Sequence, residues 1–221
     1  MRKIWAMLVA LLFSACGLLV LGSCGKGENF VAGSYSCEGG AVIDLQIDVT
    51  DRMVEIGISE DDRIHVGFFE SEKEYYEISE TDGTLTIELI SDKCWTDFIG
   101  TKPNARYRKI FLKLPENTLQ GLSVKTTNAD VKIERASVRE SIFLDVNGGN
   151  ISFERLSAGR EIRLTGKNGN IDGFVVGGWD DFAISCQIKK GESNLPEKKE
   201  GGEKRLSVDC NNGDVEIGFI V

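Results

Sequence analysis

Motifs that announce chemistry are scarce in this chain. It has a single histidine, His65, no Cys-x-x-Cys pair, no serine-centred nucleophile motif and no glycine-rich phosphate loop. Nucleophilic, thiol-redox and nucleotide chemistry therefore lack a visible starting point. Positive charge is short as well, with 26 Lys and Arg against 35 Asp and Glu. An acidic surface of this kind disfavours nucleic acid and bare anionic lipid as partners. Apolar residues recur nowhere at helical spacing over an ordinary helix length, which leaves strands as the material of the fold.

What the sequence does have is repetition. LSVKTTNADVKI (122–133), IFLDVNGGNISF (142–153) and IRLTGKNGNIDG (162–173) begin 20 residues apart, and LSVDCNNGDVEI (206–217) is a fourth copy. In each copy apolar and polar residues alternate, the parity switches at a short turn, and the alternation resumes. Leu122 and Val124 precede the first turn, for example, and Val131 and Ile133 follow it. Period two marks half-buried strands. The turns are Asn128-Ala129-Asp130, Gly148-Gly149-Asn150, Asn168-Gly169-Asn170 and Asn212-Gly213-Asp214. Gly and Asn tolerate positive φ, so the chain can corner there and send both flanking apolar sets to one interior. A strand-Asn-Gly-strand unit also reads as a plain hairpin. Equal spacing points instead to an all-β, single-stranded β-solenoid or β-helix-like stack with coils of roughly 20 residues, about 4.8 Å apart.

Residues 1–23 read as a lipoprotein signal peptide. Arg2 and Lys3 precede an uncharged apolar run from Ile4 to Leu21, and Leu21-Gly22-Ser23-Cys24 follows. Small residues before a cysteine resemble the bacterial lipobox, which makes Cys24 the lipid-attachment site and the chain extracytoplasmic, anchored to the membrane by lipid. The alternative is an uncleaved N-terminal membrane helix. Removing residues 1–23 takes two basic and no acidic residues, leaving a net charge of −11.

Residues 24–40 read as a tether and 41–221 as one β-repeat domain, with an irregular N-terminal β cap (41–115) and regular coils (116–221). Ala41 to Ile58 looks like an early copy of the unit, and Asp82-Gly83 is a hairpin signal. Ser91 to Arg106, with Cys94, Trp95 and Phe98, reads as a loop folded over the stack or as a binding loop. Pro196 to Glu203 reads as a charged surface loop inserted in the penultimate coil.

Possible sites are few. Asp61-Asp62 and Asp180-Asp181 are adjacent carboxylates, which point opposite ways on a strand. His65, between inward Ile64 and Val66, reads as an outward strand residue. The turn column places Asp130, Asn150, Asn170 and Asp214 near one another, either as oxygen ligands for calcium or as a structural side-chain ladder. The second reading is preferred, because the nine-residue repeat of calcium-binding rolls is absent. No metal and no cofactor are expected. Cys186 lies three periods after Thr126 and Cys210 falls in the same inward column, so the two form a possible disulfide on adjacent coils or a pair of buried thiols. Cys37 and Cys94 are a weaker second pair.

Leu112-Lys113-Leu114-Pro115, Leu119, Leu122, the recurring N-G-N-I and N-G-D-V turns and the ending Lys189-Lys190-Gly191, Asn194-Leu195-Pro196, Asn211-Asn212-Gly213-Asp214-Val215 resemble the bacterial adhesin-like β-strand-repeat family, a domain family of unknown function. The resemblance runs from about Ala41 to Val221. It implies an extracytoplasmic β-solenoid and supplies no catalytic residues. The expectation is a non-enzymatic envelope-surface interaction or scaffold module, anchored in the membrane through its N-terminal lipid, with a protein or glycan partner and no nucleic acid. Broad polar faces carrying Lys125, Asp145, Arg163, Thr165 and Asp209 suit that role. The alternatives are a carbohydrate-active β-helix enzyme and an accessory protein in envelope-stress sensing.

Overall fold

The computed structural model describes residues 28–94 and 103–221. The leader, Cys16, Cys24, Trp95 and Phe98 lie outside the described residues. The first strands are β1 (Val31–Glu38), β2 (Asp44–Thr50), β3 (Met53–Ile58), β4 (Arg63–Glu70), β5 (Glu74–Thr81) and β6 (Thr84–Ser91). They are followed by β7 (Lys109–Leu114), β8 (Gly121–Thr127), β9 (Val131–Val138), β10 (Ser141–Val146), β11 (Ile151–Ala158) and β12 (Glu161–Asn168). β13 (Ile171–Val176), β14 (Phe182–Lys190), β15 (Lys198–Lys199), β16 (Lys204–Asn212) and β17 (Val215–Ile220) complete the chain. Among the described residues the only helical pieces are three-residue turns.

The strands build two large, mostly parallel sheets, an all-β arrangement consistent with a β-helix-like stack. One has the order β1-β4-β7-β3-β9-β11-β13-β17, the other β15-β14-β16-β12-β10-β8-β2-β6-β5. The repeat in the sequence becomes register in space. Leu122, Ile142, Ile162 and Leu206 lie side by side across β8, β10, β12 and β16. Val131, Ile151, Ile171 and Val215 do the same in the opposite sheet. Both rows are buried in one core. The repeated blocks are therefore not antiparallel hairpins, since each strand pairs in parallel with its counterpart in the next block. Each Leu, Ile or Val taken out of water contributes roughly 1.5–3 kcal/mol, and only the neighbouring layer removes it. A true hairpin does form where Asp82 (φ 51°) and Gly83 (φ 77°) turn β5 back along β6.

The order of layers is not the order of the chain. The β2–β3 layer sits between β6–β7 and β8–β9, because β2 pairs with both β6 and β8 and β3 with both β7 and β9. At the N-terminal end β4 and β5 run antiparallel to β7 and β6, and β1 runs antiparallel to β4. Residues 31–38, read from sequence as tether, are thus a strand of the cap. At the other end the last layer slots inward, so that β16 lies between β12 and β14.

The charged segment 196–203 is consequently not an insertion in a penultimate coil. It closes the far end, where β15 pairs antiparallel with β14 and neighbouring Leu195 is buried. Asn194 finishes the other sheet: its Oδ1 accepts from Ile217 N at 3.0 Å and its Nδ2 donates to Ile217 O at 2.9 Å. One side-chain amide satisfies an edge that would otherwise present open backbone groups.

The turn glycines set how closely layers approach. A Cβ on Gly169 (φ 145°) would lie 2.0 Å from Gly149 O, whereas one on Gly40 would meet nothing within 4 Å. Gly169→Ala is expected to destabilise the protein by about 2 kcal/mol or more. Gly40→Ala should change stability by no more than about 0.5 kcal/mol. Urea titration of both variants measures the difference.

Candidate binding face

The column of turns is a ladder. Asn150 N donates to Asp130 Oδ1 (2.8 Å), Asn170 N to Asn150 Oδ1 (2.9 Å), Asp214 N to Asn170 Oδ1 (3.0 Å) and Glu192 N to Asp214 Oδ1 (2.9 Å). Each side-chain oxygen therefore caps a backbone N–H one layer away. The oxygens considered as calcium ligands are engaged in this ladder. Among the described residues no group of three or more His, Cys, Asp or Glu is placed to hold a metal.

Cys186 and Cys210 are both buried, free thiols on neighbouring strands. They do not share one column: Cys210 stands opposite Gly166 and Ile188, and Cys186 stands opposite Val208. Counting three periods from Thr126 misses this two-residue offset, because β14 leaves the regular succession of layers. Burial raises the Cys210 thiol pKa, with Cys186 adding to the effect. Cys37 is half-buried and Cys94 exposed.

His65 points outward, as its strand position requires. Its Nε2 lies 2.9 Å from Asp61 Oδ1 and its Nδ1 3.2 Å from Ser36 Oγ. Ser, His and Asp thus stand in the order of a nucleophile relay. The His65 and Asp61 side chains are 41% and 52% exposed, and Ser36 Oγ also accepts from Arg63 Nε at 3.1 Å. The group lies on the open outer face of β1 and β4, and its visible effect is to fasten those strands together. Arg63 also pairs with Glu38. Of the other adjacent carboxylates, Asp181 Oδ2 accepts from Gly178 N at 2.7 Å.

Sequence parity did not reveal a buried charge cluster at the cap. Arg52 Nη2 lies 2.9 Å from Glu74 Oε2, and Lys93 Nζ lies 2.7 Å from the same oxygen and 2.8 Å from Glu28 Oε2. Burial pushes the Glu74 carboxyl pKa up, but Lys93 and Arg52 outweigh it and hold it down. Nothing local in the sequence marks the burial of Arg52.

A groove of about 530 Å³ lies across the outer face of the eight-stranded sheet. Phe111, Glu55, Lys132, Ser152 and Asp172 form one row across β7, β3, β9, β11 and β13. At about 4.8 Å per strand the row is roughly 19 Å long. Gly57 leaves room beside Lys113 in the floor, and Glu55 is paired with Lys109 at 2.7 Å. Burial raises the Asp172 carboxyl pKa, with Glu216 on the next strand contributing. On the opposite sheet Lys125, Asp145, Thr165 and Asp209 form the polar row expected from parity. Alternation identifies which residues point outward, but the hollow depends on sheet shape, which no spacing encodes.

The sequence model of the Toastrack DUF4097 family matches residues 42–174, and the chain belongs to that family. Its fold is similar to that of a candidate cell-adhesion protein from Clostridium sporogenes, with TM-score 0.64 and 9% identity over 87% of this chain and 100% of the other. A candidate adhesin from Bacteroides fragilis aligns with TM-score 0.49 and 15% identity, covering 87% of this chain and 98% of the other. No curated protein matches the chain. The likeness to the Clostridium sporogenes protein speaks to fold alone.

Hydrogen bonds from His65, Ser59 and the Arg63 backbone hold the Asp61 carboxyl down at about 2. A depressed carboxylate pKa stabilises the fold above its unfolded value of about 3.9, and the contribution is lost as pH falls through about 2. Amide protection of β1 should therefore decline between about pH 4 and pH 2. Hydrogen exchange on wild type and Asp61→Asn checks it: the variant should lack this part of the decline.

Proposed function

We propose that this chain is an exported envelope protein, tethered to the membrane through lipid on Cys24, and that it works as an adhesin-like interaction module. In this reading its two sheets are the walls of one β-solenoid with coils of roughly 20 residues. The observation that carries the functional reading is the groove of the eight-stranded sheet, whose Phe111–Glu55–Lys132–Ser152–Asp172 row crosses five strands. A row of aromatic, anionic, cationic and hydroxyl side chains at regular spacing suits an extended polymer bearing groups of both charge signs. The net charge of −11 left by residues 24–221 argues against nucleic acid.

Solubilised envelope glycans and extended envelope peptides are the two ligand pools to test against immobilised protein. Phe111→Ala and Lys132→Glu should each weaken capture about tenfold, corresponding to about 1.4 kcal/mol. Asp145→Lys, on the opposite sheet, should leave it unchanged. Equal capture by all variants, or loss only with Asp145→Lys, would overturn the assignment of the groove.

The rival reading, a glycan-cleaving enzyme, has one observation in its favour: Asp172 and Glu216 are neighbouring carboxyls, and the Asp172 pKa is raised. A pair of facing carboxyls is what glycoside hydrolysis uses. Glycan turnover abolished by Asp172→Asn would establish that reading in place of simple binding.

A further inference from the structure

We infer that the cap end of the stack faces the membrane and that the Arg52–Glu74–Lys93–Glu28 cluster fixes this orientation. The inference rests on the membrane-anchored reading above, but it holds whether the anchor is lipid on Cys24 or an N-terminal apolar helix. Both routes attach the chain just ahead of Glu28.

The chain is held from its first described residue. Glu28 Oε2 takes Lys93 Nζ at 2.8 Å, and Glu28 Oε1 accepts from Ser71 Oγ. The Lys93 side chain is 7% exposed and that of Arg52 1%, so the ion pairs are shielded from solvent screening. Two residues on, Phe30 stacks on Tyr107 with centroids 5.2 Å apart. Phe69 meets Tyr107 edge-on at 5.4 Å, and the Arg106 guanidinium lies 4.3 Å from the Tyr107 ring centroid. From Val31 onward β1 is zipped to β4. Only Gly25, Lys26 and Gly27 separate Cys24 from this clamp. Four residue steps reach at most about 14 Å.

The clamp lies at one end of the molecule. β5 and β15 are the two edges of the nine-stranded sheet, eight strand spacings apart, or about 38 Å. A leash of about 14 Å attached at the β4–β5 end therefore leaves the β14–β15 end standing away from the bilayer. The surface beside the leash fits a headgroup layer: Phe30, Phe69 and Tyr107 are partly exposed, and aromatic rings with a polar tip or a neighbouring arginine favour the lipid–water boundary. Glu72, Glu77 and Glu80 are exposed at the same end, so the partner is a zwitterionic rather than an anionic lipid surface. The groove then runs along the stack, away from the membrane, open to material outside the cytoplasm.

Full-length protein purified from membranes, carrying a fluorescent amino acid in place of Glu72 or of Glu200, should be bound to phosphatidylcholine vesicles that contain a nitroxide-headgroup lipid. The probe at residue 72 is expected to be quenched at least fivefold more than the probe at residue 200. In Glu28→Gln/Lys93→Met protein the ratio should fall but stay above one, because the leash lengthens while β1 remains paired with β4 from Val31. Vesicle-bound wild type with equal quenching at both positions overturns the orientation while leaving the anchor intact. Protein that fails to float with vesicles overturns the anchor and the orientation together. A double variant that keeps the wild-type ratio overturns the role given to the cluster.

Discussion

Parallel strands stacked in register oblige every turn to lie on the turn before it, and the structure depends on how that crowding is met. At the corner three layers place a glycine where only a hydrogen fits, Gly149, Gly169 and Gly213, whose Cβ atoms would each come within 2.3 Å of a neighbouring carbonyl oxygen. One residue later an Asn or Asp oxygen caps the N–H of the adjacent layer. Such a bond contributes about 1 kcal/mol net. More importantly, it fixes register, and a slip of one residue would turn the whole apolar row of a strand into solvent.

The ends of the stack follow from the same constraint. A stack of parallel layers leaves two open core faces and four exposed edges, which invite uncontrolled pairing. Here the chain turns antiparallel at one end through β1, β4 and β5, and closes the other with β15 and the Asn194 side chain. The cap also buries charge. Arg52 stands at the turn position where later layers have an uncharged residue, and Thr126 Oγ1 donates to its carbonyl at 2.7 Å. Its guanidinium needs Glu74, which in turn draws in Lys93 and Glu28. A buried ion pair of this kind is weak evidence for stability; its consequence here is to fix where the N-terminal segment enters the fold.

Much of the regular part was legible because Leu122, Ile142 and Ile162 repeat at a constant interval, and equal spacing in sequence becomes adjacency in space when layers succeed one another. The same rule misplaced Cys186, since β14 lies outside the last layer and Val208, not Cys210, faces it. It also read residues 31–38 as tether, because VAGSYSCE lacks a bulky apolar alternation and earns its strand by pairing with β4. The groove and the Arg52 cluster were not legible at all. One depends on the layer order, which sets Glu55 between Phe111 and Lys132, and the other on contacts between residues up to 65 positions apart, such as Glu28 and Lys93.

If the turn column holds the layers in register, the Asn150, Asn170 and Asp214 amides are protected, and native-state hydrogen exchange at these three positions measures that protection. All three are solvent-exposed residues at corners, where an unbonded N–H would exchange as freely as that of a loop. The ladder predicts protection comparable to the buried strands beside them, with Asn150→Ala accelerating exchange at Asn170 above all. Exchange at the rate of an exposed loop residue such as Gly201, unchanged by Asn150→Ala, would contradict it.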